Sequence, residues 1–183
     1  LVDVFVNGGK YSFGFDKLIR WIEICKRAGV EYYEMAHLFT QWGALYTPKI
    51  MATVDGTYKR IFGWDVSATS DEYKAFVAEY LPALREVLRR EGIEQNTYFH
   101  ISDEPSGEHI EAYKAARKVV EPYLKGCIIM DALSEYAFYE SGAVTRPVPA
   151  NNAIEPFLEH KVPGLWTYYC IGQYKDVSKL VMA

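Results

Sequence analysis

Cysteine is scarce in this sequence and follows no recognisable spacing. The three residues of this type, Cys25, Cys127 and Cys170, lie far apart and are odd in number. They match neither a zinc ligand set nor a disulfide framework. Because each lies in an apolar stretch, we expect buried free thiols.

Several other patterns are missing, and each absence narrows the function. No apolar run reaches membrane-spanning length and no signal peptide is visible, so we expect no membrane partner. The net charge is only -4, without a Lys/Arg stripe or an acidic tail, which argues against nucleic acid as a partner. No glycine-rich phosphate fingerprint follows a predicted strand, which argues against nucleotide binding.

Apolar and aromatic side chains are abundant. Of the 183 residues, 50% are hydrophobic, enough for one domain of ordinary size with a substantial core. Most of the 15 Tyr, 9 Phe and 4 Trp should fill that core. Tyr and Trp near loop ends can also stack on sugar rings, because each offers an apolar face and a polar edge.

Hydrophobic periodicity and turn signals predict alternating helices and strands. Parallel strands joined by crossover helices are typical of such an order. We count about five strands, whereas a complete eight-stranded (β/α)8 barrel needs about 250 residues. The sequence therefore predicts a partial barrel, with a doubly wound open sheet as the structural rival. The predicted elements are a helix over 15–29, a strand over 30–39, a hairpin over 49–64, a helix over 69–92, a strand over 97–102, a helix after Ser106, a strand over 126–130, a helical segment over 134–140, a strand over 143–148, a helix over 151–160 and a strand over 164–170.

Local signals fix some of these boundaries. Asp55-Gly56 between two apolar runs indicates a hairpin turn. Thr69 with Glu72 three residues later predicts a capping box at the second helix. Pro82 should kink that helix and Gly92 should end it. Ser106 is the expected N-cap of the next helix.

The segment His100-Ile-Ser-Asp-Glu-Pro105 carries the strongest chemical signal. Asp103 and Glu104 follow an apolar strand, and in a parallel barrel the ends of the strands form the catalytic face. Pro105 has no backbone N–H and helps to end strand pairing. The alternative is structural, since acids at the start of a helix also favour its dipole.

Adjacent acids suit one form of glycoside cleavage in particular. An ordinary retaining glycosidase uses two carboxylates on opposite faces of the sugar. Two neighbours from one strand instead fit substrate-assisted hydrolysis, in which the 2-acetamido group of the substrate is the nucleophile. One acid then orients the acetamide, and the other acts as general acid and later as base.

The sequence resembles glycoside hydrolase family 123, the β-N-acetylgalactosaminidases, and the bacterial proteins grouped as domain of unknown function 4091. After the final matching segment the family pattern continues Asn-Arg-Phe, whereas this chain has Lys179-Leu180-Val181. The segments that carry the resemblance are His37-Leu-Phe-Thr-Gln-Trp-Gly-Ala44, Thr47-Pro-Lys-Ile50, His100-Ile-Ser-Asp-Glu-Pro105, Trp166-Thr-Tyr-Tyr-Cys170 and Asp176-Val-Ser178.

The resemblance implies a (β/α) barrel that hydrolyses terminal β-linked N-acetylhexosamine, with N-acetylgalactosamine as the type substrate. It implies retention of configuration through an oxazoline, with Asp103 orienting the acetamide and Glu104 as acid/base. No metal or organic cofactor is implied. Residues 1–183 would form a single partial catalytic barrel domain, with flanking strands and an N-terminal β-sandwich domain elsewhere in a bacterial periplasmic or secreted protein.

Other side chains near predicted strand ends are candidates for substrate binding. His37 could hydrogen-bond a sugar hydroxyl, Trp42 could form a sugar platform, and Asp131 could bind the sugar or position the acetamide. We also include Tyr136 as a binding candidate. Trp166 and Tyr168, which alternate along the last predicted strand, could wall a pocket for the acetamide methyl. His100 is expected to be a polar residue of the barrel interior.

Two alternatives stay open at this point. An ordinary retaining glycosidase with Glu104 as acid/base would need a second carboxylate from a later strand. A non-catalytic carbohydrate-binding barrel would carry the acids without using them, since a fold does not guarantee chemistry. The sequence does not give the oligomeric state.

Overall fold

The computed structural model describes residues 1–168, which form a mixed α/β fold with two four-stranded sheets. The strands are β1 (Asp3–Asn7), β2 (Lys10–Gly14), β3 (Tyr33–Glu34), β4 (Ile50–Val54), β5 (Thr57–Phe62), β6 (Thr97–Phe99), β7 (Ile128–Ala132) and β8 (Arg146–Val148). The α-helices are α1 (Asp16–Arg27), α2 (Asp71–Arg90), α3 (Ile110–Val120), α4 (Tyr136–Glu140) and α5 (Glu155–Glu159).

The first sheet, which we call the mixed sheet, has the order β2-β1-β4-β5. It consists of two antiparallel hairpins joined through the parallel pair β1 and β4. Asp55 (φ 46°) and Gly56 (φ 85°) form the turn of the second hairpin. Two successive residues with positive φ give the turn whose twist matches that of the flanking strands. The predicted hairpin is therefore confirmed.

The hairpin of β1 and β2 was not predicted. Its turn, Gly8-Gly9, also has positive φ at both residues, and Asn7-Gly8-Gly9 between two alternating runs is a hairpin signal.

The second sheet, the parallel sheet, has the order β3-β6-β7-β8, and every pair in it is parallel. Pairing of the first two strands continues past their formal ends, since Leu38 N donates to His100 O at 3.0 Å and Phe39 N donates to Ile101 O at 3.1 Å. The segments that follow the strands therefore meet at one edge of the sheet. The predicted strands at 30–39 and 97–102 are present in part, as a paired run over 33–39 and 97–101.

Beyond β8, Tyr168 makes an isolated parallel bridge with Ala150. Within residues 1–168 this bridge is all that appears of the strand predicted over 164–170. The residues after 168, including Cys170 and the Asp176-Val-Ser178 segment, lie outside the described part. The described residues show two sheets and do not by themselves make up a barrel wall.

Helix α2 packs between the sheets and carries much of the core. Tyr73 contacts Phe62 of β5 edge-on (ring centroids 5.2 Å apart) and Phe39 after β3 (5.6 Å). Burying a large apolar side chain contributes about 1.5–3 kcal/mol, so this row of the helix binds the two sheets together. The buried residues of α2 are Tyr73, Phe76, Val77, Leu81, Leu84, Val87 and Leu88.

The helix boundaries correct two predictions about capping. Ser70, not Thr69, is the N-cap of α2, and its Oγ accepts from Tyr73 N at 3.3 Å. Glu72 therefore does not occupy the third helical position that a capping box requires. Ser106 precedes a short 3₁₀ turn, and its hydroxyl hydrogen-bonds His109 Nδ1 at 2.8 Å rather than a backbone amide. Helix α2 runs through Pro82 as one element.

No helix in the described part of the chain has the length and apolar character needed to cross a bilayer.

Candidate active site

The two adjacent acids lie where the β6 segment leaves the parallel sheet. Asp103 is half-buried and Glu104 is exposed. Ion pairs among residues 1–168 involve neither acid.

Glu104 has a backbone conformation that a residue with a side chain seldom adopts. Its φ is +44°, in the left-handed region that is costly for residues other than glycine. The chain turns sharply here, so the two neighbouring side chains need not point to opposite sides as they would along a regular strand. Backbone strain of this kind clusters at functional sites.

Tyr168 reaches across to this turn from the far end of the described chain. Its hydroxyl donates to Glu104 Oε1 at 2.6 Å. The bridge to Ala150 fixes the backbone of Tyr168 beside the segment that follows β8. The predicted site residues Tyr168 and Glu104 are thus brought into contact, and one carboxylate oxygen of Glu104 is oriented.

Asp103 lines a small cleft of about 230 Å³ together with His37. Six cleft residues were not predicted as site residues: Phe39, Thr40, Gln41, Pro48, Lys49 and Trp64. Trp64 is 56% exposed and follows β5 of the mixed sheet, so the cleft joins parts of both sheets. Lys49 lies in the Thr47-Pro-Lys-Ile50 segment, which carried the family resemblance and could have indicated a role for it. No neighbouring residue indicated a role for Trp64.

A larger cavity of about 600 Å³ lies beside this cleft and shares His37 and Lys49 with it. Its lining comes from both sheets and is mostly apolar, including Phe76 and Phe99. Neither catalytic candidate lines it. Asp103 therefore opens onto the smaller cleft, whereas Glu104, its exposed neighbour in the chain, lines neither cavity.

The loop after β3 is tied directly to the acid segment. Trp42 N donates to Asp103 O at 2.8 Å, and Gly43 N donates to Ser102 Oγ at 3.3 Å. The Ser102 hydroxyl in turn donates to Thr40 O at 2.8 Å. The indole of Trp42 is 55% exposed next to this junction, where a sugar platform was predicted.

Gly43 is required in this loop for two reasons. Its φ is +116°, and a Cβ built there would lie 2.4 Å from His109 Cβ. Trp42 and Ala44 on either side also have positive φ. The close approach of this loop to the turn before α3 therefore depends on the missing side chain.

Asp131 lies near the end of β7, as predicted, but its side chain is not at the surface. It is completely buried, and its Oδ1 accepts from Ile101 N at 2.9 Å and from Ser102 N at 3.3 Å. Its Oδ2 accepts from the hydroxyl of Tyr113. Complete burial leaves no surface for a sugar contact, so this carboxylate instead supports the backbone that leads into Asp103.

Burial raises the pKa of the Asp131 carboxyl, and the neighbouring His100, Tyr113 and His37 oppose that rise. Burial also lowers the pKa of His37, with a further lowering from His100. Burial also tends to lower the pKa of His100. The carboxylates of Asp131 and Glu34 outweigh this effect, so the pKa of His100 is raised. His37 and His100 lie with ring centroids 4.9 Å apart.

Tyr136 and Trp166 make their ring contacts with other aromatic residues. Tyr136 stacks on His160 with centroids 4.4 Å apart and meets Phe157 edge-on at 5.3 Å. Trp166 is 44% exposed and contacts Tyr98 at 5.4 Å. Tyr168 contacts Glu104, and the wall that Trp166 and Tyr168 would form for the acetamide methyl stays a prediction.

Comparisons with known proteins bear on this arrangement. The chain is similar in fold to a family 123 glycoside hydrolase from Clostridium perfringens, whose structural analysis concerned glycolipid glycan hydrolysis, with a TM-score of 0.67 at 13% identity. The match covers 97% of this chain and 33% of the other, so the chain spans about a third of that protein. No curated protein matches the chain.

The family model of the glycoside hydrolase 123 catalytic domain matches residues 1–181. This match covers nearly the whole chain, including the acid pair and the segments that build the cleft. The resemblance seen in the sequence is confirmed, and the chain belongs to glycoside hydrolase family 123.

Proposed function

We propose that this glycosidase removes terminal β-linked N-acetylhexosamine, with N-acetylgalactosamine as the favoured sugar, by substrate-assisted catalysis. The observation that carries the proposal is the arrangement of the acid pair. Asp103 faces a cleft, while Glu104 is exposed at a left-handed turn with one oxygen bound by Tyr168. Two acids from one strand end can then act on different parts of one sugar.

In this mechanism Glu104 protonates the glycosidic oxygen as the bond to the anomeric carbon breaks. The carbonyl oxygen of the 2-acetamido group attacks that carbon, and Asp103 accepts a hydrogen bond from the acetamide N–H and stabilises the charge that develops there. An oxazoline forms and the alcohol leaves. Water then attacks the anomeric carbon while Glu104 removes its proton, which restores the acetamide and retains the configuration.

The cleft dimensions support a single sugar ring. Its volume of about 230 Å³ is below the ~300 Å³ at which pockets for drug-sized ligands begin. Trp64 in the cleft and Trp42 beside it offer exposed indole faces for stacking. His37 and Lys49 supply polar groups for sugar hydroxyls. Sugar contacts by Tyr136 and Trp166 stay predictions.

The same proposal includes the barrel. The strands of the parallel sheet follow one another in chain order, and the Tyr168 bridge adds the next position beyond β8. A (β/α)8 barrel builds its wall in this way, whereas a doubly wound sheet reverses direction at a switch point. Strand ends at one edge are also where such barrels carry their catalytic residues.

The test compares two substrates in the full-length protein. We expect cleavage of an aryl β-N-acetylgalactosaminide and no cleavage of the matching aryl β-galactoside, because only the first carries the nucleophile. A thiazoline mimic of the oxazoline should inhibit. Equal cleavage of both glycosides would replace this mechanism with that of an ordinary retaining glycosidase. A glycolipid glycan ending in β-N-acetylgalactosamine is the natural extension, given the relative from Clostridium perfringens.

The roles of the two acids can be distinguished by comparing substrates that have different leaving groups. Glu104→Gln should lower kcat/KM by about 10²–10⁴ for a poor leaving group, and by much less for an aryl group that needs little protonation. Asp103→Asn should lower kcat/KM by about 10²–10³ for both. Glu121→Gln, a change of an exposed acid outside the cleft, is the matched control. Wild-type rates in both acid variants would contradict the assigned roles.

A further inference from the structure

A second polar cluster lies next to the acid pair, at the ends of three neighbouring strands. His37 follows β3, His100 follows β6 and Asp131 is in β7. One potential ligand atom from each residue lies within 4.8 Å of the others. The cluster shares His37 with the cleft of Asp103.

His100 is the unusual member. Its side chain is only 10% exposed, and both ring nitrogens are buried without a hydrogen-bond partner among the described residues. Nδ1 lies 3.6 Å from Asp131 Oδ1, and Nε2 lies 3.8 Å from Glu34 Oε2. Both distances exceed those of a hydrogen bond. Buried polar atoms are almost always paired, so the orphan Nδ1 that faces Asp131 points to a ligand between these two side chains.

The residue types fit a metal ion of the zinc class. Two imidazoles and a carboxylate are a common zinc ligand set that leaves a fourth position open. Asp131 retains acceptor capacity, because three hydrogen bonds use three of the roughly four lone-pair sites of a carboxylate. Glu34 faces the other nitrogen of His100, where a carboxylate commonly orients a metal-binding imidazole.

We propose that His37, His100 and Asp131 bind one divalent transition-metal ion, with zinc as the preferred species and Glu34 as the group that orients His100. The ion supplies the partner that His100 lacks and links the ends of β3, β6 and β7 beneath the acid pair. It acts by positioning these segments. The site shares His37 with the cleft of the proposed glycosidase, and its other two ligands lie outside that cleft.

The probe is zinc itself, titrated by calorimetry into the full-length protein after treatment with a chelator. We expect one zinc ion per chain and no comparable uptake of magnesium, which prefers oxygen ligands in an octahedral arrangement. Cobalt bound at the same site should give the visible absorption of a low-coordinate imidazole–carboxylate complex. Failure of the chelator-treated protein to bind zinc would overturn the proposal.

Variants assign the site. His37→Ala should abolish the stoichiometric binding, and Glu34→Gln should weaken it roughly 10–100-fold. His160→Ala removes an exposed histidine outside the cluster and should bind as the wild type does. Undiminished binding by His37→Ala would mean that zinc is held elsewhere. Because His100→Ala could fail to fold, the conclusion rests on His37 and Glu34, whose side chains are less deeply buried.

The double variant Asp103→Asn, Glu104→Gln separates this proposal from the catalytic one. It should lose glycosidase activity and retain zinc binding, because neither acid is a member of the cluster. Loss of zinc binding in this variant would place the ion at the acid pair and overturn the site as we assign it.

Discussion

The two sheets of this protein are built in different ways. The strands of the mixed sheet are five or six residues long and are joined by tight turns into local hairpins. The strands of the parallel sheet are two to five residues long, yet β6 is buried at every position. The acid pair and the histidine cluster both lie at the ends of these shorter strands.

The difference shows where each sheet obtains its stability. A hairpin depends on the geometry of its own turn, whereas parallel strands need long crossovers between them. In the parallel sheet, polar side chains reach across those long separations: Asp131 bonds backbone amides 29 and 30 residues away, and Ser102 bonds Thr40 O, 62 residues away. The residues that hold this sheet together therefore also shape the site.

Removing the Asp131 side chain should lower the free energy of unfolding more than any other substitution considered below, because this side chain supports the parallel sheet. Asp131→Ala leaves buried donors of Ile101 and Tyr113 without an acceptor, and we expect a loss of about 4 kcal/mol in the free energy of unfolding. Asp55 in the turn of the second hairpin also accepts from a backbone amide, Gly8 N in the turn of the first hairpin, at 3.1 Å, but in an exposed setting. Asp55→Ala should cost about 1 kcal/mol.

Urea unfolding of both variants measures these values, and Asp131→Asn provides the conservative comparison because it keeps an oxygen acceptor. Equal losses for the two alanine variants would contradict the idea that side-chain hydrogen bonds support the parallel sheet more than the hairpins.

Substitutions at two glycines, one in the loop after β3 and one in the turn between β4 and β5, compare the two sheets through backbone conformation and steric contacts. Gly43→Ala combines an unfavourable φ with a clash of the new methyl against His109, and should cost about 3 kcal/mol. Gly56 has φ +85°, but no atom lies within 4 Å of the position that a methyl group would take, so Gly56→Ala should cost about 1 kcal/mol. Thermal or urea unfolding separates them.

Gly43→Ala should also lower glycosidase activity, because the loop it occupies is hydrogen-bonded to Ser102 and Asp103. Gly56→Ala should leave activity at the wild-type level. If the alanine at position 43 is tolerated without loss of stability, His109 can move and the close approach is not a constraint.

Local patterns in the sequence predicted much of the fold. The helix near residues 15–29 is present as α1, the Asp55-Gly56 hairpin is confirmed, and the parallel strands appear in the expected order. These features depend on residues close together in the chain. The start of α2 was displaced by one residue because Thr69 and Ser70 are both good caps.

The site was less predictable because it is assembled from distant segments. Trp64 reaches the cleft from beyond the mixed sheet, and no nearby residue indicates that position. Asp131 was correctly associated with the edge that carries the acids, but a position at a strand end does not reveal how deeply a side chain is buried. Its contacts with Ile101 and Tyr113 follow from the packing of α3 and β7 against β6.

The smallest predicted effect concerns the contact between the sheets. Tyr73 of α2 touches Phe62 of the mixed sheet and donates through its hydroxyl to Leu38 O, next to the parallel sheet, at 2.5 Å. It is 1% exposed. Tyr73→Phe keeps the ring and removes one hydrogen bond, which should cost about 1 kcal/mol near neutral pH.

Alkaline pH should cancel this difference. Burial, with a smaller contribution from Tyr80, raises the pKa of Tyr73 above its ordinary value of 10.0. Above pH 10 the unfolded chain releases the phenolic proton while the folded chain keeps it, so this contribution to stability falls by about 1.4 kcal/mol per pH unit. The phenylalanine variant has no such loss and should equal the wild type near pH 11. Urea unfolding of both proteins between pH 8 and pH 11 tests this, and a difference that stays constant would mean that Tyr73 ionises as readily in the folded chain as in the unfolded one.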